Sequence, residues 1–180
     1  MTVVIRESKE TQIRCELNAG TGVARVSTGD AFLDHMLVAF ARYSGIDVDV
    51  QATGDLRHHL IEDVAITLGR AVAAFAPAGC ARFGERTVPM DDALVQVVLD
   101  IGGRPYYRGP LPNALWDHFF RSFADNAATT LHVRVLRGKD KHHVVEAAVK
   151  ALGFALRDAL KESGAVFSTK GTVLLDVREA

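Results

Sequence analysis

Apolar and polar residues follow two different periodicities along the chain. TQIRCEL, GVARVS and IDVDVQA alternate apolar with polar residues, which is typical of half-buried strands. TGDAFLDHMLVAFARYSG and IEDVAITLGRAVAAFA carry apolar residues three and four positions apart, which predicts amphipathic helices. The turn NAGTG between the first two strands indicates a hairpin. The first part of the chain is therefore predicted as strand, strand, helix, strand, helix.

The same pattern occurs again in the second part of the chain. Asp34-His35 recurs as Asp117-His118, 83 residues later, and the apolar positions around it recur too. His58-His59 recurs as His142-His143, 84 residues later, so one position of slippage falls near Gly138. Core positions and histidines repeat together, which indicates duplication of a unit of about 85 residues.

The duplication predicts the architecture. We expect a single domain over residues 1–180, made of two pseudo-symmetric halves at about 1–79 and 80–180, because no linker rich in Pro, Gly or Ser separates them. Each helix pair has one apolar stripe, and each sheet needs one face covered. The economical arrangement is an α+β fold, in which internally duplicated β-β-α-β-α units pack a helical layer between two β-sheets.

Histidine is concentrated in the repeated motifs. Six of the seven histidines lie at matched positions, and each HHxxE motif adds a glutamate. The first histidine and the glutamate are four residues apart on one helix face, whereas the adjacent histidines diverge by about 100°. Each motif should therefore serve two ions, with the first histidine joining the glutamate and the second facing the other ion. Two ions would share eight ligands, four apiece: His35, His58, His59, Glu62, His118, His142, His143 and Glu146.

Imidazole and carboxylate donors without thiolate suit Mn, Fe, Co or Zn. A single HHxxE motif would more often belong to a solvated helix face, but its duplication favours a metal site. Two alternatives stay open. His35 and His118 begin apolar helix faces and could be core histidines, and Asp34 and Asp117 could either orient imidazoles or act as first-turn helix acids.

Composition narrows the function classes. The 180 residues are 48% hydrophobic and carry a net charge of −1 with histidine neutral, so we expect no binding to nucleic acid. We expect no membrane association and a cytoplasmic location, because the chain shows no long apolar run and no signal-peptide pattern. Cys15 and Cys80 are far apart, which argues against a thiolate zinc site.

Motifs along nearly the whole chain are similar to those of one enzyme family. ESKETQI, FLDHML, HHLIED, VPMDDALV, GGRPYY, DHFFRSFADNA, HHVVEAAVKAL and STKGT follow the order of the imidazoleglycerol-phosphate dehydratase family. The resemblance implies a hydro-lyase of histidine biosynthesis that converts imidazole glycerol phosphate to imidazole acetol phosphate. It also implies two manganese ions per active site and a 24-subunit homo-oligomer with active sites between subunits.

The resemblance assigns roles to further residues. Glu10 is the candidate general acid or base for the protons at the carbons beside the imidazole ring. Asp91 and Asp92 are expected at a turn before a strand, with a weaker case for a role near the substrate. Arginine binds phosphate through two parallel hydrogen bonds and lysine adds a point charge. The phosphate-binding positions implied by the family are Arg104, Arg121, Ser168 and Lys170.

The chain departs from the family pattern at two places. GDLRHHLIED is a few residues short before its HHxxE motif, so a tighter turn is expected there. Val38-Ala39 stands where many members carry Gln, so one substrate hydrogen bond should be missing or supplied elsewhere. Two other functions would explain the histidines: a non-catalytic metal-binding shell protein and a di-metal hydrolase. The shell protein leaves Glu10 and the phosphate-binding cations unexplained.

Overall fold

A computed structural model describes residues 1–164, which contain eight strands and four helices. The strands are β1 (Thr2–Glu7), β2 (Thr11–Ala19), β3 (Ala24–Ser27), β4 (Ile46–Gly54), β5 (Phe83–Met90), β6 (Ala93–Ile101), β7 (Tyr106–Arg108) and β8 (Thr129–Arg137). The helices are α1 (Ala31–Ser44), α2 (Arg57–Phe75), α3 (Ala114–Asn126) and α4 (Lys141–Ala159). Ser168 and Lys170 lie outside the described residues.

The two halves of the chain form two four-stranded sheets with the same topology. Strand order is β1-β2-β4-β3 in the first sheet and β5-β6-β8-β7 in the second. The first three strands of each order pair antiparallel, and the last pairs parallel. Each half thus contains the predicted β-β-α-β-α order with one further strand, β1 or β5, in front of it. The predicted α+β fold and its internal duplication are confirmed.

The hairpin predicted between TQIRCEL and GVARVS is wrong. β3 does not pair with β2 but runs parallel to β4, which lies between the two. Asp47 accepts hydrogen bonds from the backbone N–H groups of Thr21, Gly22 and Val23 and so shapes the connection that leads to β3. Because β3 and β4 are parallel, the chain must cross back between them, and α1 forms this crossover. Strand β4 then pairs with all nine residues of β2.

The four helices lie between the sheets. Helices α1 and α2 pack on the first sheet, and α3 and α4 pack on the second. Helix α1 also packs against α4, and α2 against α3, so each helix pair joins the two halves. Phe40, Trp116, Phe120 and Phe123 are buried at the centre of this layer. Burial of each such side chain contributes about 1.5–3 kcal/mol.

Two matched glycines let the helix pairs approach closely. A Cβ on Gly69 of α2 would lie 2.7 Å from the carbonyl oxygen of Phe123 in α3. A Cβ on Gly153 of α4 would lie 2.9 Å from Cβ of Tyr43 in α1. Glycine within a helix costs about 1 kcal/mol relative to alanine. Its presence at the same place in both repeats therefore reflects the close packing that the two helix pairs need.

The slippage between the repeats occurs at a single residue. β8 pairs with β6 through Val135 opposite Val95 and Arg137 opposite Leu94, which leaves Leu136 as an extra residue. The corresponding strand β4 pairs with β2 without a shift. This bulge in β8 explains why the offset between repeats changes from 83 to 84 residues before the second HHxxE motif.

The connection into α2 is short. Only Asp55 and Leu56 separate β4 from α2, and Leu56 offers no capping side chain. Instead, Asp55 accepts a hydrogen bond from the backbone N–H of Leu56 at 2.7 Å, and Arg57 pairs with Asp30, the residue that caps α1. The first HHxxE motif therefore begins immediately at the sheet edge. None of the helices within residues 1–164 combines the length and apolar character needed to cross a membrane.

Candidate metal centre

Helices α1 and α4 bring together a first group of metal-binding side chains, called cluster A here: His35, His142 and Glu146. Oε2 of Glu146 lies 3.5 Å from Nε2 of His35 and 3.3 Å from Nε2 of His142. Both imidazoles are exposed, whereas the side chain of Glu146 is only 7% exposed. Exposure of His35 makes the core-histidine alternative wrong for this residue.

Helices α2 and α3 form the matching cluster B: His58, Glu62 and His118. Oε1 of Glu62 lies 3.0 Å from Nε2 of His118, and Oε2 lies 3.4 Å from Nε2 of His58. The rings of His58 and His118 are stacked with centroids 5.3 Å apart. Each cluster therefore combines a histidine and a glutamate of one HHxxE motif with a histidine from the other half of the chain.

One atom of cluster B bears on whether a metal ion fits. Nε2 of His118 is buried and makes no hydrogen bond within residues 1–164, although Glu62 is near it. Buried polar atoms normally have a hydrogen-bond partner, but the described part of the chain supplies none for this nitrogen. A divalent cation between imidazole and carboxylate would satisfy it, and nitrogen and oxygen donors of this kind suit first-row transition metals.

The second histidine of each motif lies outside both clusters. Nδ1 of His59 is 2.8 Å from Oδ1 of Asp55, and Nδ1 of His143 is 2.8 Å from Oδ1 of Asp92. The hydrogen bond that each aspartate accepts from its histidine raises the pKa of that histidine. Asp92 also accepts hydrogen bonds from the backbone N–H groups at 139 and 140; these, with His143, lower its pKa to about 2.

Within residues 1–164, the hydrogen bonds of Asp34 and Asp117 go to groups other than imidazoles. Asp34 accepts hydrogen bonds from the backbone N–H and the hydroxyl of Thr28. Asp117 accepts hydrogen bonds from the hydroxyl of Tyr107 and the backbone N–H of Leu111. Both aspartates therefore tie the first turn of a helix to the segment before it. Within residues 1–164, Asp55 and Asp92 are instead the carboxylates within hydrogen-bond distance of an imidazole Nδ1.

The two glutamates differ in their surroundings. Lys150, one helical turn after Glu146, lies 2.7 Å from its Oε1, so only Oε2 faces the histidines of cluster A. Burial opposes ionisation of Glu146, but the hydrogen bond and charge of Lys150 outweigh it and lower its pKa. Ile66 occupies the matching position after Glu62, so cluster B has no such lysine. The four-residue spacing of Glu146 and Lys150 on one helix is a sequence signal from which this ion pair could have been predicted.

Three further predicted site residues lie at the surface of the described part of the chain. Glu10 is exposed in the turn between β1 and β2, and its Oε2 is 3.8 Å from Nδ1 of His59. Arg104 and Arg121 are exposed, and within residues 1–164 neither guanidinium forms an ion pair. The guanidinium of Arg121 lies 5.3 Å from the centre of the Tyr107 ring. The roles of these residues, like the ligand assignment of the two clusters, stay predictions.

Known proteins resemble this chain in family, sequence and structure. The family model described as imidazoleglycerol-phosphate dehydratase matches residues 28–156. The protein of that name from Methanosarcina barkeri (strain Fusaro / DSM 804) is 46% identical, over 93% of this chain and 96% of the relative. The crystal structure from Pyrococcus furiosus has a TM-score of 0.86 and 44% identity, over 94% of this chain and all of that one. The structure from Staphylococcus aureus subsp. aureus N315 has a TM-score of 0.81 and 32% identity, over 90% of this chain and 99% of that one.

A duplicated sandwich with a histidine–glutamate cluster at each helix pair defines a class of metal-dependent lyases. Both the sequence match and the structural match extend over nearly the whole length of the chain. The chain belongs to the imidazoleglycerol-phosphate dehydratase family, the hydro-lyases that act on a small phosphorylated substrate in histidine biosynthesis.

Proposed function

We propose that the chain dehydrates imidazole glycerol phosphate to imidazole acetol phosphate with two bound manganese ions. The observation that carries the proposal is the pair of clusters A and B, in which six donor side chains converge in two matched groups. Manganese accepts mixed imidazole and carboxylate ligands and keeps positions open for a substrate when a protein supplies only some of its ligands.

Each cluster supplies three donors from one chain, one fewer than the four expected per ion. His59 and His143 are the missing donors, and in a single chain both are held by aspartates instead of joining the clusters. We infer that they bind ions of neighbouring copies, so that the active site forms between subunits. This supports a homo-oligomer, and the family resemblance favours a 24-mer.

Proton transfer falls to Glu10. A divalent metal held by clusters A and B would supply Lewis-acid stabilisation of charge on the substrate. Glu10 is exposed at the tip of a turn and close to His59, so a substrate held beside that histidine comes within reach of its carboxylate. The carboxylate takes the proton from the carbon that keeps its hydroxyl, and that proton leaves with the hydroxyl of the neighbouring carbon as water. The resulting enol becomes the ketone when its hydroxyl proton moves to the carbon beside the ring.

Cations hold the phosphate end. Arg104 and Arg121 are exposed, and neither is neutralised by a carboxylate within the described part of the chain, so both guanidinium groups are available to an anion. Arginine at such a position recognises phosphate through two parallel hydrogen bonds. Ser168 and Lys170 complete the proposed phosphate site from outside the described residues.

The test is turnover by defined metal-loaded protein. The purified chain is stripped with a chelator, reloaded with Mn²⁺ and incubated with imidazole glycerol phosphate, and the keto product is followed. We expect product only from the reloaded protein. Metal binding and assembly without product would favour the non-catalytic shell protein, and release of inorganic phosphate instead would favour a hydrolase. The cytoplasmic location and the single-domain division stay predictions.

A further inference from the structure

We infer that Asp55 and Asp92 are positioning residues that hold Nδ1 of His59 and His143 and leave Nε2 of each imidazole as the nitrogen that binds metal. This inference rests on the proposed function, because it concerns the two histidines assigned to ions of neighbouring copies. It adds two carboxylates to the site, neither of which is a metal ligand.

Asp55 is built to hold His59. It lies in the two-residue connection before α2, four residues before the histidine. Its Oδ1 accepts a hydrogen bond from the backbone N–H of Leu56 at 2.7 Å, and the same oxygen is 2.8 Å from Nδ1 of His59. The backbone contact fixes the carboxylate, and the carboxylate in turn fixes the ring.

Asp92 does the same for His143 from a different element. It lies in the turn between β5 and β6 and accepts hydrogen bonds from the backbone N–H groups at 139 and 140, before and at the start of α4. Its other oxygen is 2.8 Å from Nδ1 of His143. Oδ2 of Asp91 is 3.3 Å from Nε2 of this histidine, but that side chain is 68% exposed. The contact between Asp91 and Nε2 of His143 is therefore the one that a metal ion would replace.

A hydrogen bond at Nδ1 decides which nitrogen can bind metal. When a carboxylate accepts the Nδ1 proton, the neutral ring keeps its lone pair on Nε2, which is the atom that can coordinate an ion. Both second histidines have this arrangement, and within the described chain Nε2 of His59 has no ion-pair partner. The same chemical result therefore arises twice, from aspartates that do not align in the repeat.

The two halves hold their second histidines with acids from different positions, and this explains why Glu10 does not hold His59. Glu10 directly precedes β2, and Asp92 directly precedes the matching strand β6, so the two acids occupy the same place in their repeats. Asp92 holds its histidine at 2.8 Å, whereas Glu10 is 3.8 Å from His59. Asp55 takes the holding role in the first half. The turn acid of that half is thereby released for proton transfer.

The test is Mn²⁺ affinity, measured by titration calorimetry on metal-free protein without substrate. We expect Asp55→Ala and Asp92→Ala to weaken binding about 10- to 100-fold, the usual effect of removing a carboxylate behind a ligand histidine. Asp55→Asn and Asp92→Asn keep an oxygen that can accept a hydrogen bond from Nδ1–H. They should therefore retain part of the Mn²⁺ affinity that the alanine variants lose. Asp55→Ala keeps the test decisive if Asp92→Ala fails to fold, since the change at Asp92 removes two backbone contacts as well.

The matched control is Asp140→Asn. Asp140 is equally close to the start of α4 and accepts a hydrogen bond from the backbone N–H of His142, but within residues 1–164 it forms no hydrogen bond or ion pair with an imidazole. We expect this variant to bind Mn²⁺ like the parent. Nitrogen-15 NMR of the imidazoles in metal-free protein provides an independent readout: His59 and His143 should carry the proton on Nδ1 in the parent and lose this preference in the alanine variants.

The outcomes distinguish failure of this inference from failure of the proposed function. Parent protein that binds no Mn²⁺ would overturn the proposed function and this inference with it. Parent protein that binds Mn²⁺, with an Asp55→Ala variant and a folded Asp92→Ala variant that bind it equally tightly and keep the same imidazole proton positions, would overturn this inference alone.

Discussion

Nε2 of His118 and Oε1 of Glu62 lie 3.0 Å apart, although the two residues come from different halves of the duplicated chain. The relationship recurs in reverse, since His35 of the first half lies 3.5 Å from Glu146 of the second. Neither half can thus form a cluster alone. The close packing of α2 on α3 and of α1 on α4 is what assembles both clusters.

Replacement of His118 should remove metal from one cluster only. In His118→Ala, cluster B keeps His58 and Glu62, while cluster A keeps all three of its donors. We expect the bound Mn²⁺ to fall to about half, measured by elemental analysis after gel filtration. His132→Ala is the control, because this histidine lies in β8 beside Tyr106 and outside both clusters. Full metal content in His118→Ala would contradict the ligand assignment.

Glu10→Gln should separate chemistry from metal binding. The variant keeps the size of the side chain but cannot accept a proton, so we expect turnover to fall by about 10²-fold or more. Metal content should not change, because Glu10 belongs to neither cluster. Lys9→Gln, in the same exposed turn, should retain activity. An active Glu10→Gln enzyme would assign proton transfer to another group.

Alanine at Gly69 or Gly153 should loosen the helix pairs. The added methyl group meets backbone atoms of the facing helix at Gly69, and Cβ of Tyr43 and N of Ser44 at Gly153, at 3.0 Å or less. We expect a loss of about 1–3 kcal/mol in stability, which exceeds the gain of about 1 kcal/mol in helix propensity. Gly69→Ala should also weaken metal binding at cluster B.

Denaturant unfolding of the metal-free chain measures the stability change in these glycine variants. Gly79→Ala is the control, since an added Cβ there meets nothing within 4 Å. Gly69→Ala protein with the stability and the metal affinity of the parent would show that close approach at this position is dispensable.

The ion pairs of Asp158 should make stability depend on acid pH. Asp158 accepts a hydrogen bond from Lys161 and another from Arg86 of β5, and these lower its pKa despite partial burial. A carboxylate with a lowered pKa stabilises the fold above its unfolded pKa of about 3.9, and the contribution disappears as pH falls through the folded value. Asp158→Asn should therefore be less stable than the parent at about pH 7, by about 1 kcal/mol or less for so exposed a pair.

The difference between parent and Asp158→Asn should shrink as pH falls below about 4 and through the lowered folded pKa of Asp158, because the carboxylate then takes up a proton. Thermal unfolding of the metal-free chain as a function of pH measures it. Asp125→Asn is the control, because Asp125 is exposed and forms no ion pair within residues 1–164. A difference that stays constant across this range would mean that Asp158 acts through its shape and not through its charge.

Local periodicity was enough to predict most elements and the duplication. Alternation in IDVDVQA and the three-to-four spacing in IEDVAITLGRAVAAFA depend on each residue's own side chain, so the pattern carries over directly to β4 and α2. The pairing of β3 was not predictable in this way. Whether a short strand pairs with β2 or β4 depends on competition for the same hydrogen-bonding edge, and only the full sheet decides it.

The candidate site, like the fold, was predictable from the sequence only in part. The sequence by itself determined which residue types repeat, and the four-residue spacing of His58 and Glu62 placed them on one helix face. Only the tertiary structure decided that His118 joins them, that Asp34 and Asp117 serve the backbone, and that Asp55 and Asp92 hold the second histidines. Spacing along a chain determines contacts within one helix. Contacts between helices depend on how the layers pack, which no local pattern contains.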